Sequence, residues 1–181
     1  MTDLLNQKQQ AFLLEIAREA IILFLKNKKP PKVKVTDPLL QEKRGAFVTL
    51  KVNDELRGCI GYSFPFKPLH ETIIDVAVSA ATQDFRFRSL TLEELPKTKI
   101  EISVLSLPQP VKNIKEIAVG KHGIIVSKGI NKGLLLPQVP VEWGWDLETY
   151  LSHGCLKAGL SENEWKKEAQ IEVFTAQVFS E

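Results

Sequence analysis

Ala46-Phe47-Val48-Thr49-Leu50-Lys51-Val52, then Asn53-Asp54-Glu55, then Leu56-Arg57-Gly58-Cys59-Ile60-Gly61 is the stretch that decides the fold. Ala46, Val48, Leu50 and Val52 alternate with Phe47, Thr49 and Lys51, the period of a half-buried strand, and the residues after Val52 are turn formers. The pattern is a β-hairpin. A three-residue loop pairs Val52 with Leu56, Leu50 with Gly58 and Val48 with Ile60. A two-residue loop at Asn53-Asp54 pairs Val52 with Glu55 and Leu50 with Arg57. Only the first register buries one face consistently, so it is the one expected.

Further along, Gly123–Val139 carries a similar pattern. Ile124, Val126 and Ile130 lead to Asn131-Lys132-Gly133, then Leu134-Leu135-Leu136, and Gly133 occupies the place of Glu55. A glycine third in the loop suits a left-handed residue. Each hairpin precedes a helical pattern. Pro68–Thr82 aligns Leu69, Ile73, Val76, Ala77 and Ala80, and Asp146–Ala158 aligns Leu147, Tyr150, Leu151, Cys155 and Ala158. Each helix precedes a capping box, Thr91 to Glu94 and Ser161 to Glu164. Each box precedes a strand, Lys99–Val104 and Gln170–Phe174. The expected fold is therefore α+β, two related hairpin–helix–helix–strand units over about 45–107 and 123–178 with mostly antiparallel pairing.

Residues 1–44 stand outside these units. From Asp3, a candidate cap, to Lys26 an apolar stripe of Leu13, Ile16, Ala17, Ala20, Ile21 and Phe24 predicts a core-packing N-terminal helix, ended by Pro30-Pro31. The connector Lys26–Arg44, with a turn at Asp37-Pro38, holds seven basic residues against two acidic ones. That net +5 leaves the other residues at 17 basic against 20 acidic, so the overall +2 of this 181-residue chain conceals a local asymmetry. The connector reads as a solvated arm or a phosphate contact; no aromatic residues interleave with its lysines, unlike single-strand binders.

Composition narrows the class. Apolar residues make up 44% and charged residues 25%, a globular balance for one domain. The apolar run Ala20–Leu25 is far shorter than the ~20 residues of a membrane span. Met1-Thr2-Asp3 does not resemble the start of a signal peptide. Cys59 and Cys155 are too far apart for a metal knuckle, His70, His122 and His153 are dispersed, and no P-loop, GxGxxG, HExxH or GxSxG occurs, so neither metal nor cofactor is indicated.

Arg57-Gly58-Cys59-Ile60-Gly61 is the leading site candidate. Strand alternation sets Arg57 and Cys59 on the face away from Leu56 and Ile60, with Cys59 opposite Thr49 and Lys51 opposite Arg57. Cationic neighbours favour a thiolate. Gly58 and Gly61 leave room for a ligand or for another stretch of backbone. His70, early in the following helix, is the candidate base. Asp84-Phe85-Arg86-Phe87-Arg88 reads equally as a binding loop or as a loop stapled to the core. The tryptophans of Glu142-Trp143-Gly144-Trp145-Asp146 line a pocket or pack on the second unit. Cys155 lies on an apolar helix face and reads as structural.

These residues bring a family into view. Leu56–Gly61, Asp84-Phe85-Arg86-Phe87, Gly133-Leu134-Leu135-Leu136-Pro137-Gln138-Val139, Lys157-Ala158-Gly159-Leu160 with Trp165, and the ending Phe174–Glu181 resemble the AMMECR family, named for the Alport syndrome–elliptocytosis chromosomal region. The resemblance covers nearly the whole chain. It implies two related subunits sharing a barrel-like sheet, and a cytoplasmic or nuclear protein whose prokaryotic members accompany Memo-type dioxygenase-like and radical-SAM proteins. It implies ligand-binding positions at Gly58, Gly61, Asp84, Arg86, Gln138 and Glu142, beside the candidate catalytic set Cys59, Arg57 and His70. Phe85 and Arg88-Ser89 stand where the family pattern DPRFPPL has its prolines. Two functions are expected to compete: an enzyme or enzyme partner centred on Cys59, and a non-catalytic module binding RNA or a protein through the connector and the Phe85–Arg88 loop.

Overall fold

The computed structural model describes residues 4–181, which divide into two compact units: one running to Leu105 and including Gln177–Glu181, the other Ser106–Ala176.

The first unit opens with α1 (Gln7–Asn27), its face of Leu13, Ile16, Ala17, Ala20 and Ile21 fully buried as the stripe requires. Asp3 lies outside the described residues; the cap is Asn6, in a reciprocal box with Gln9 at 3.0 and 2.9 Å. The helix stops at Lys28, left-handed at φ 58°, before the prolines are reached. The connector keeps its lysines exposed but is tied to the core. Val33, Val35 and Leu39 pack on the core and Leu40 is buried. Asp37-Pro38 starts a one-turn helix, α2 (Pro38–Gln41), whose cap Asp37 also accepts the Gln9 amide at 2.9 Å.

β1 (Ala46–Val52) and β2 (Glu55–Tyr62) form the first hairpin. Its turn is the two-residue Asn53-Asp54, both at positive φ, pairing Val52 with Glu55 and Lys51 with Leu56. A bulge then leaves Arg57 without a partner, so Leu50 meets Gly58, Thr49 meets Cys59 and Val48 meets Ile60. The expected register therefore holds from Gly58 onward and fails at the tip. A two-residue turn suits strand twist, and the extra residue restores the pairing that buries Leu50 and Val48. α3 (Leu69–Thr82) covers this sheet, and β3 (Thr98–Leu105) pairs antiparallel with β1. β8 (Ala176–Ser180), a strand the patterns do not announce, completes the order β2-β1-β3-β8.

The second unit holds β4 (Gln109–Pro110), β5 (Gly123–Lys128), β6 (Asn131–Leu135), α4 (Gln138–Glu142), α5 (Leu147–Lys157) and β7 (Gln170–Phe174), with sheet order β4-β7-β5-β6. Here too the turn is shorter than expected. It is Gly129-Ile130, with Gly129 at φ 59°, and Gly133 sits within β6 opposite Val126. A Cβ on Gly133 would lie 2.4 Å from the Ala158 nitrogen, so the glycine admits the end of α5 rather than a tight turn. Beyond β6 the chain folds into α4 instead of prolonging the hairpin to Val139. The core gathers Ile124, Val126, Leu151 and Cys155 around a wholly buried Tyr150, whose hydroxyl lies 3.1–3.3 Å from the carbonyls of His122, Leu135 and Leu136. Burial holds that phenol well above its ordinary pKa.

Each unit thus runs hairpin, helix, short 3-10 turn, strand. Pairing is antiparallel within both hairpins and in their pairing with β3 and β7. The shared barrel-like sheet is not formed: each unit keeps its own four-stranded sheet, without a closed barrel.

Candidate functional site

Leu50 and Gly58 face α3, where a Cβ on Gly58 would stand 2.2 Å from the Ala80 carbonyl oxygen. This glycine therefore serves helix packing, as Gly133 does in the second unit. Gly61 lies under the Phe47 ring, which a Cβ there would meet at 2.2 Å. Both spaces left by the missing side chains are filled by the protein itself.

Cys59 points to the opposite face, half-buried, with its Sγ 3.2 Å from the Thr49 hydroxyl. Across β1 the same row continues to Glu101, which Lys51 holds at 2.9 Å. The backbone of Cys59 is clasped by the Asp84 loop. The Asp84 carboxylate, its side chain only 2% exposed, accepts the Cys59 N–H at 2.8 Å and the Arg86 N–H at 3.2 Å. It also accepts the Arg86 guanidinium at 2.9 and 2.7 Å, and that guanidinium reaches the Cys59 carbonyl at 3.4 Å. The hydrogen bond from Arg86 is the main reason the Asp84 carboxyl lies well below the usual carboxylate range, with the two backbone N–H groups adding to it.

Arg57 is drawn elsewhere. The bulge releases it from the ladder, and its guanidinium donates to Arg88 O at 2.8 Å, Ser89 O at 3.4 Å and Glu94 at 3.2–3.4 Å. Glu94 completes the Thr91 box by accepting the Thr91 N–H at 3.0 Å. That bond comes first among the causes holding its carboxyl below the ordinary value, with Arg57 adding to it. The expectation that Arg57 stands opposite Lys51 beside the thiol is thus corrected: Arg57 pins the 84–90 loop. The loop is anchored and also displayed, because Asp84 and Leu90 are buried while Phe85 is 96% exposed and the Arg86 side chain 45%.

His70 is not brought to Cys59. It is buried, with Nδ1 2.9 Å from the Leu40 carbonyl beneath the connector. Ten helical residues separate it from Ala80, the neighbour of Gly58, about 15 Å along the axis. Gln138 and Glu142 lie exposed on α4, in the second unit. Trp145 packs on that unit's core, whereas Trp143 stays exposed, so the motif divides between the two readings. Cys155 is buried, and burial raises its thiol pKa. The connector lines two hollows, of about 280 Å³ beside Lys8, Phe12 and Lys34 and about 260 Å³ beside Lys32, His70 and Asp75. Among the described residues no trio of His, Cys, Asp or Glu side chains could hold a metal ion, and no helix is long and apolar enough to cross a membrane. The sequence patterns do not mark Glu94 and Glu101 as site neighbours. Alternation already set Thr49 opposite Cys59, and the capping box had singled out Glu94 for a local role only.

A leading helix and two antiparallel α+β units, the first with a bulged Arg-Gly-Cys strand clasped by an aspartate–arginine loop, define the class. The chain belongs to the AMMECR1 family, whose model matches residues 14–179. It is 47% identical to Protein MK0488 of Methanopyrus kandleri, across 100% of this chain and 92% of that protein. It is 43% identical to Protein MJ0810 of Methanocaldococcus jannaschii, across 98% and 92%. The crystal structure of the uncharacterized protein PH0010 from Pyrococcus horikoshii has the same fold, with a TM-score of 0.77, 44% identity, and coverage of 94% of this chain and 90% of that one.

Proposed function

We propose that the protein is a non-catalytic binding module, an enzyme partner whose recognition surface is the Asp84–Arg88 loop beside Cys59. One observation carries this reading: the loop is clasped at Asp84 and Arg57, yet presents Phe85 and Arg88 to solvent. An ordered loop with an exposed ring and a cation loses little entropy on binding. A protein partner suits it better than RNA, because Arg57 and Arg86 are already committed to Glu94 and Asp84, and Arg88 stands 4.0 Å from Glu94. Nucleophilic catalysis is the second reading, favoured by the half-exposed Cys59. It is weaker because the group at hydrogen-bond distance from Sγ is a hydroxyl, a poor base, while His70 is turned to Leu40. Residence in the cytoplasm belongs to the same proposal and is supported by two free cysteines. So does an internal duplication, supported by the matching places of Gly58 and Gly133 against helix ends.

Titration calorimetry against a Memo-type protein and against single-stranded RNA tests the reading. Phe85→Ala and Arg88→Ala are expected to weaken the protein complex while Cys59→Ser leaves it intact. Loss of binding in Cys59→Ser alone, or binding to RNA only, would overturn it.

A further inference from the structure

From Gly133 to Leu156 the chain has no lysine or arginine, yet it carries Glu142, Asp146 and Glu148 and two of the three tryptophans. Between α4 and α5, Gly144 at φ 64° turns the backbone so that Trp143 and Trp145 stack, with centroids 6.2 Å apart and planes 21° apart. Trp145 in turn lies on the His153 imidazole at 3.9 Å and 9°. The result is a ladder of three rings. Its middle ring, Trp145, packs on the second unit's core, and its outer ring, Trp143, is 71% exposed.

The charges around the ladder select its ligand. The Glu142 side chain is exposed and makes no hydrogen bond or ion pair among the described residues. Asp146 spends Oδ1 on the Thr149 N–H at 2.8 Å, capping α5, and Glu148 pairs with Lys166 at 3.3 Å. A tryptophan face is electron-rich, and Glu142, the residue before it in the chain, adds negative potential to the same exposed surface. A planar cation suits both, its guanidinium stacked on the Trp143 ring and its charge drawn by the Glu142 carboxylate. Phosphate chains are repelled by the same carboxylates. Because the ladder is already stacked, little rotamer freedom is lost on docking.

We propose that Trp143 and Glu142 form a docking site for an arginine side chain on an extended segment of a protein partner. This inference is independent of the surface assigned to the first unit.

The test measures anisotropy of a labelled Gly-Arg-Gly-Arg-Gly peptide titrated with the full chain at low salt, with the lysine peptide and a mixed-sequence RNA oligonucleotide as competitors. Saturable binding is expected, with weaker competition by lysine and none by RNA. Trp143→Ala should lose about fivefold in affinity, Trp143→Phe should recover most of it, and Glu142→Gln should lose about threefold. Trp143 is exposed, so its variants should keep the wild-type circular dichroism spectrum. Absence of saturable binding up to about 5 mM, equal binding by Trp143→Ala, or displacement of the peptide by RNA would each overturn the proposal.

Discussion

Replacing Asp84 by alanine removes one of the two groups, with Arg57, that tie the 84–90 loop to β2. The magnitude follows from its four accepted hydrogen bonds. The Cys59 N–H loses its partner in a half-buried strand, at about 1–3 kcal/mol. The Arg86 N–H and guanidinium can turn to water, so their loss adds only about 1 kcal/mol. A total near 3 kcal/mol corresponds to a melting-temperature drop of roughly 6–12 °C for a chain of this size. Circular dichroism is the suitable probe, because all three tryptophans lie in the second unit and their fluorescence does not follow the first. Hydrogen exchange at the Cys59 amide should accelerate in parallel.

The pH dependence has a definite sign. The folded-state pKa of Asp84 is depressed, so its contribution is fully present above the unfolded value near 4. It fades as pH falls toward the folded value. Asp84→Asn retains an oxygen for the Cys59 N–H and should therefore be milder than Asp84→Ala. It should also lose less stability than wild type between about pH 4 and pH 2. A melting temperature of Asp84→Ala within about 1 °C of wild type, or unchanged exchange at Cys59, would refute the clasp.

Two further predictions concern packing and reactivity. Gly133→Ala drives a Cβ into the backbone of Ala158 and should destabilise the second unit by about 2–3 kcal/mol, read by tryptophan fluorescence in urea. Gly129→Ala, with open space but φ 59°, should cost only about 1 kcal/mol. Thiol titration of the native protein should show one accessible cysteine, Cys59, with Cys155 reacting only after unfolding because it is buried with a raised pKa; loss of the fast phase in Cys59→Ser confirms the assignment, and a fast Cys155 would contradict it.

The order of helices and hairpins, the buried stripe of α1, the extent of α3 and α5, and the pairing of Thr49 with Cys59 were all legible in the chain. Periodicity reports which face of an element is buried, and burial is a local pattern written in consecutive residues. The hairpin tips differ from expectation for two reasons. In the first, a two-residue turn leaves the alternation one step out of phase until the bulge at Arg57 restores it; in the second, the turn falls on Gly129-Ile130, ahead of Asn131-Lys132-Gly133, and Gly133 answers to the close approach of α5. Asp84, Arg86 and Cys59 were legible as motifs, but not as a clasp: residues 25 positions apart meet only because α3 folds back over β2. The same fold sends Arg57 to Glu94 and His70 to Leu40, both away from the thiol. Alternation, capping and composition thus settled the α+β class and the main helices and hairpins, but not α2, α4, β4 or β8. Tertiary packing alone decided which cations are already paired, which glycines admit a helix end, and that Phe85 and Trp143 face solvent, because each depends on what a distant part of the chain places alongside.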